Sequence, residues 1–163
     1  MKEDIVDQLL RQWASEQPDK DVSALGVIVR IQMLAKLLQR QTTTALTKHR
    51  LKHWEYDVLS VLRRQGTPFE LAATDIARAV LLTGGAMTTR IDGLEARGFV
   101  RRHRSRTDGR SVSVRLTAKG KRTVDLAIDT RINNADQALA KIGGNDRRQL
   151  AEQLKRVLID IDQ

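Results

Sequence analysis

The sequence contains no cysteine, and that one absence removes several kinds of chemistry. A disulfide framework, a thiolate metal site, a thiol nucleophile and a thiol-based peroxide sensor are all excluded. The fold must be held by its own core, which a chain of 163 residues is long enough to build. Histidine is scarce, with only His49, His53 and His103. His49 and His53 are four apart, a spacing that shares a helical face. However, Leu51-Lys52 reads as a break between helices, and no carboxylate completes a metal pattern. Neither a metal nor a cofactor is expected. No apolar run is long enough to span a bilayer. The start, Met1-Lys2-Glu3-Asp4, lacks the charged-then-apolar order of a secretion signal. The expectation is a soluble, cytoplasmic chain with no membrane partner. Enzyme signatures are missing as well: there is no Ser-His-Asp arrangement, Walker loop, dinucleotide glycine motif or paired-carboxylate cleft, and Gly84-Gly85 is too short for a phosphate loop.

Acidic residues are also scarce where basic ones concentrate. The chain has a net charge of +9. Between residues 97 and 115 stand Arg97, Arg101, Arg102, Arg104, Arg106, Arg110 and Arg115, against the single acid Asp108. Two-thirds of the net charge therefore lies in this one stretch. A patch this dense is the footprint of a polyanion site, with nucleic acid the first candidate. An anionic membrane surface fits less well, because the stretch lacks the large apolar face of an interfacial helix.

The prolines are two, Pro18 and Pro68, and both punctuate. Pro18 follows a short amphipathic stretch, Ile5 to Trp13. From Val22 to Leu46, Leu25, Ile28, Val29, Met33, Leu37 and Leu38 recur at helical spacing over a wide apolar face, as suits a helix buried inside a dimer. A further helix is predicted over about His53 to Arg64, stopped by Gln65-Gly66-Thr67-Pro68. Thr74 is a plausible N-cap for a short helix, Asp75 to Val80. Leu81-Leu82-Thr83-Gly84-Gly85 reads as a turn, and Thr83 can cap the next helix, Gly84 to Arg97, which stops at Gly98. Beyond Gly98 the period changes. Phe99 to Arg104 and Ser111 to Leu116 are β-prone, and the Asp108-Gly109 pair between them is a strong hairpin signal. Thr117 then caps a long helix, Gly143-Gly144 breaks it, and Asn145 or Asp146 caps a last one.

Helix, helix, turn, helix, hairpin is the order of a DNA-reading device. Only the major groove admits a helix and displays a distinct edge for each base pair. In the helix from Gly84 to Arg97, Met87, Ile91 and Leu94 form an inner stripe, while Gly85, Thr88, Thr89 and Asp92 face outward. Thr83, Thr88, Thr89, Arg104, Arg106 and Arg110 are the candidate DNA contacts, and Asp108 a brace for the hairpin. Asp57 and Arg90 each sit on the edge of an apolar stripe. A half-buried charge needs a partner, so an Asp57–Arg90 ion pair is expected to fix the angle of the reading helix. The plainer reading of these residues is a structural salt bridge, with Trp13 packing a short helix.

Several segments resemble one family. Asp75-Ile76-Ala77, the run Thr89-Arg90-Ile91-Asp92-Gly93-Leu94-Glu95-Ala96-Arg97-Gly98-Phe99-Val100, Asp108-Gly109-Arg110 and Leu116-Thr117-Ala118-Lys119-Gly120 look like the reading helices, wing and exit of the MarR (multiple antibiotic resistance regulator) family. The resemblance implies a mainly α fold with a small β-hairpin: a winged helix-turn-helix with long N- and C-terminal dimerisation helices. Residues 1–50 and 118–163 would build the dimer, and 51–117 the DNA-binding domain. It implies a homodimer on double-stranded DNA at a pseudo-palindromic operator, most often a repressor. Gln12-Trp13 and Glu16 to Val22 look like the extension of the urate-responsive, PecS-type branch. On that likeness Trp13, Asp57, Arg90 and Arg102 would hold a small anionic aromatic ligand such as urate or xanthine. Gly84-Gly85 departs from the family, since many relatives carry base-reaching polar residues there. The rival reading is a nonspecific, nucleoid-type DNA binder without a ligand.

Overall fold

The computed structural model describes residues 2–103 and 112–161 in full, and the backbone of Arg104. In chain order the elements are α1 (Ile5–Glu16), α2 (Ser23–Thr47), α3 (His53–Arg64), β1 (Glu70–Ala72), α4 (Ala73–Ala79), α5 (Gly84–Ala96), β2 (Val100–Arg104), β3 (Val112–Leu116), α6 (Ala118–Ala138) and α7 (Gly144–Ile161). The chain divides into two compact units, Met1–Thr44 and Ala45–Gln163. Among the described residues, no helix is long and apolar enough to cross a membrane.

The first unit is organised by one cap. The Asp4 carboxylate accepts the Val6 and Asp7 amides at the start of α1, and Asp7 returns the bond to the Asp4 amide at 2.8 Å. This reciprocal box satisfies donors that a helix start leaves orphaned. Arg30 of α2 then grips both carboxylates, Asp4 at 2.8 Å and Asp7 at 2.7 Å, so the cap also joins the two helices. The Arg30 guanidinium, with the capped amides, holds the Asp4 carboxyl down at about 2. Gly26 lets the helices approach closely: a Cβ there would lie 3.1 Å from the Leu10 side chain.

The second unit holds the main core. Val58, Leu59 and Leu62 of α3 meet Ile76 of α4, the Met87–Ile91–Leu94 stripe of α5, Val100 and Val114 of the sheet, and Val124 of α6, all essentially inaccessible. The expected hairpin is part of a three-stranded antiparallel sheet of order β1-β3-β2. Val100 pairs with Leu116 and Arg104 with Val112, while Glu70 pairs with Arg115 on the other side of β3. β1 is only three residues long, too short for alternation to reveal it in sequence.

Other boundaries shift for physical reasons. The N-cap of α4 is Ala72, not Thr74, and makes no side-chain bond, because the chain enters α4 directly from β1. Thr83 does hold the N-cap position of α5, but its hydroxyl caps nothing. Asn145 and Asp146 fall inside the first turn of α7. Thr117 caps α6 as expected, accepting the Gly120 amide and donating to the Gly98 carbonyl at 2.7 Å. Gly120 packs so tightly here that a Cβ would overlap the Phe99 carbonyl oxygen. Residues 118–163 group with 45–117 rather than standing apart, since Val124 and Ala127 of α6 belong to the core.

Candidate nucleic-acid interface

α5 presents two faces of opposite character. Met87, Ile91 and Leu94 are buried, while Thr83, Gly85, Thr88, Thr89 and Asp92 are exposed. Among the described residues, nothing stands within 4 Å of where a Cβ of Gly84 or Gly85 would be, so backbone alone is displayed at the helix start. The helix ends in a tight reversal: Gly98, with φ of +70°, allows the Phe99 amide to reach back to the Leu94 carbonyl at 2.9 Å. This is the glycine-dependent helix stop that leads straight into β2.

Three arginines hold α5 in place, and none of them does so through Asp57. Arg90 lies over the Trp54 ring of α3, 5.4 Å from its centroid. Arg97 binds both oxygens of Glu55 at 2.5 Å and donates to the Arg50 carbonyl at 2.6 Å. Glu55 is 2 % exposed and also accepts the Lys52 amide at the start of α3. Such a buried carboxylate is tolerated because its oxygens are satisfied. The expected Asp57–Arg90 ion pair is therefore corrected. Asp57 accepts from His53 Nδ1 at 3.0 Å, one turn earlier on its own helix, and the α3–α5 ion pair is Glu55–Arg97. The signal was available in sequence: Glu55 follows Trp54, and Arg97 closes the reading helix. Spacing alone could not choose between the two acids.

Arg102 is the third bracket. From β2 it reaches Asp92 at 2.5 Å, Glu95 at 2.6 Å and the Thr88 carbonyl at 3.3 Å, all on α5. β2 is an edge strand, and its Arg102 amide is taken by Glu95 at 2.9 Å. One carboxylate thus blunts the strand edge and pins the wing to the reading helix. The Arg102 amide and then its guanidinium hold the Glu95 carboxyl below its usual range. On the outer face of the sheet, Arg115 is neutralised by Glu70, which also takes the Ser113 hydroxyl. Arg101, directly opposite Arg115, is exposed.

The structure thus brings Asp92, Glu95 and Arg102 together, and separately Trp54 and Arg90. Trp13 belongs to the first unit, where it is 47 % exposed. Arg106, Asp108 and Arg110, the Asp108-Gly109 turn, and the side chain of Arg104 lie outside the described residues. Asp57 lines a cavity of about 470 Å³ together with Ser60, Arg64, Val80, Leu81 and Ile128, among others. No group of three potential ligands that could hold a metal ion occurs among the described residues.

Residues 51–111 match the model of the MarR family. The HTH-type transcriptional regulator PecS of Dickeya dadantii (strain 3937) is 30% identical over 152 residues, covering 93% of this chain and 92% of its own. Among solved structures, AbsC, a MarR family transcriptional regulator from Streptomyces coelicolor, superposes with a TM-score of 0.79 at 18% identity, over 88% of this chain and 97% of its own. A single-site mutant of MarR from E. coli, complexed with operator DNA, gives 0.73 at 20% identity, over 85% and 99%.

Proposed function

The chain belongs to the MarR family of transcriptional regulators, and from that premise we propose that it acts as a homodimeric repressor on a pseudo-palindromic operator, released by a small anionic aromatic ligand such as urate or xanthine. The observation that carries this reading is the division of α5 into a buried Met87–Ile91–Leu94 stripe and an exposed Thr88–Thr89 face, braced beside an antiparallel wing. A helix so mounted fits the major groove. Thr83, Thr88 and Thr89 contact DNA from α5 and its start, and Arg104, Arg106 and Arg110 from the wing, with Asp108 bracing its turn. Homodimerisation is supported by apolar side chains that α2 and α7 leave exposed, among them Leu34, Leu37, Leu154 and Leu158. Apolar side chains left exposed in a row along a helix mark an interface.

Trp13, Asp57, Arg90 and Arg102 are the ligand residues of this reading. Arg90 and Arg102 already have partners, an indole and two carboxylates. An anion reaching Arg102 competes with Asp92 and Glu95, and so loosens the wing from α5. That supplies a physical route from ligand to DNA release.

The test is a gel-shift titration on DNA from upstream of the protein's own gene, against a random duplex, with urate and xanthine added. A preference above about a thousandfold that either ligand abolishes is the expected result. A preference below about tenfold, unaffected by both ligands, means a nonspecific nucleoid-type binder instead.

A further inference from the structure

α6 and α7 belong to one compact unit, yet they are held in different ways. α6 is fixed to the core by Val124 and Ala127. α7 buries none of its residues, so its direction depends on the elbow between the two helices, residues 139–143. One side chain spans that elbow. Arg147, in the first turn of α7, turns back on α6. Its Nε donates to the Ile142 carbonyl at 2.9 Å, and a terminal nitrogen donates to the Leu139 carbonyl at 2.8 Å. The other terminal nitrogen lies 3.7 Å from Asp136, in the last turn of α6. The Arg147 amide meanwhile donates to the Gly143 carbonyl at 2.9 Å.

The chemistry suits the place. A helix leaves its last carbonyls without partners of its own, and a cation there meets the negative end of the helix dipole. Leu139 is the C-cap of α6, and its carbonyl also accepts the Ile142 amide at 2.9 Å. A guanidinium is rigid and planar, with its N–H groups in fixed directions. Two carbonyls gripped by one such fork cannot turn independently. The lever is long as well. The eighteen residues of α7 extend about 27 Å, so a change of about 10° at the elbow moves the far end by about 5 Å. That exceeds the rise of about 3.4 Å per base pair of DNA.

We propose that Arg147 is a positioning residue for operator recognition: by bridging the Leu139 and Ile142 carbonyls it sets the angle at which α7 leaves α6, and so the half-site separation that two copies read. The inference rests on the homodimer of the proposed function, in which the apolar stripe of α7 meets a second copy. α6 carries the angle to the core on which α5 is mounted, so an error at the elbow becomes an error in the distance between two reading helices.

Two measurements on the full chain test this. The first is a distance without DNA. Because the chain has no cysteine, Thr74→Cys on exposed α4 gives one spin-label site per copy, read by double electron–electron resonance. The second is selection from random duplexes, which reports the half-site separation that each variant prefers. With Arg147 intact, one narrow distance is expected, and a preference above about tenfold over separations one base pair shorter or longer. Arg147→Ala should remain folded by circular dichroism and dimeric by light scattering. Its distance should shift or broaden by about 5 Å, and its spacing preference should fall below about threefold. Arg147→Lys keeps the charge without the fork and should behave like Arg147→Ala; it also decides the matter if Arg147→Ala does not fold. An Arg147→Ala dimer with unchanged distance and spacing overturns this inference and leaves the homodimer standing. Full rescue by Arg147→Lys overturns it too, since a cation at the end of α6 would then suffice. If the protein with Arg147 intact gives no dipolar signal, or selects no paired half-sites, the operator-bound homodimer falls and this inference with it.

Discussion

α3 and α7 are both amphipathic helices, yet they have opposite fates within one chain. α3 buries Glu55, Val58, Leu59, Val61 and Leu62 in twelve residues. α7 has eighteen residues and buries none of them, although Leu150, Leu154, Leu158 and Ile161 give it an apolar stripe of its own. The difference is where the partner surface resides. α3 finds four elements of its own unit to pack against, and its cost of ordering is offset by burial. Among the described residues, the stripe of α7 finds no such cover. On the proposed reading, a second copy supplies it, as it does for the exposed leucines of α2.

The largest effect is expected from attacking α7. Leu154→Glu with Leu158→Glu should leave a folded monomer by light scattering. Operator affinity should fall at least a hundredfold, since the second half-site no longer binds as part of the same particle. A variant that stays dimeric would place the interface elsewhere. Next comes α3. Glu55→Ala strands Arg97 and removes a cap contact, and should cost about 3 kcal/mol of stability in urea unfolding; a loss under about 1 kcal/mol would mean that Arg97 relaxes to solvent at little cost. The wing comes third. Arg102→Ala should weaken operator binding about tenfold with an unchanged salt slope, because Arg102 braces rather than touching phosphate. Arg110→Ala should instead lower the slope by about one. A slope change in Arg102→Ala would move that residue onto the DNA.

The smallest effect concerns pH. His49 Nε2 lies 2.8 Å from the Thr130 hydroxyl, which itself donates to the Leu126 carbonyl. Burial, with Lys48 adding to it, pushes the His49 pKa below its usual value. A base whose folded pKa is depressed is held neutral by folding, so the unfolded chain takes up the proton first. Stability then falls as pH drops below about 6.5, the ordinary histidine value. His49→Gln should flatten that fall between about pH 7 and 5.5 in thermal melts. An identical slope in the variant would assign it to other groups.

Much of this was legible in sequence because it rests on local chemistry. The extent of α3, the Gly98 stop, the Thr117 cap and the inner stripe of α5 all follow from residue type and a 3.6-residue period. Three things were not legible. β1 is too short to carry a period, and exists because β3 offers it an edge. Thr74 looked like a cap, but the cap position depends on where β1 ends. Asp57 and Arg90 looked like partners because each lies at the rim of a stripe. A period fixes the angle of a side chain about its own helix, not the neighbour it meets across a gap.

By itself, then, the sequence determined that this chain would be a cysteine-free, mainly helical protein with a reading helix, a basic β-hairpin after it and amphipathic ends. These follow from composition and from contacts a few residues apart. Only the tertiary structure decided how Arg90, Arg97 and Arg102 are spent: Arg90 on Trp54, Arg97 on Glu55, Arg102 on Asp92 and Glu95. In sequence Arg97 and Arg102 belong to one cationic patch, with Arg90 a little before it. In space each is committed by whichever acceptor the packed core brings within reach, and long-range packing is what a linear pattern does not encode.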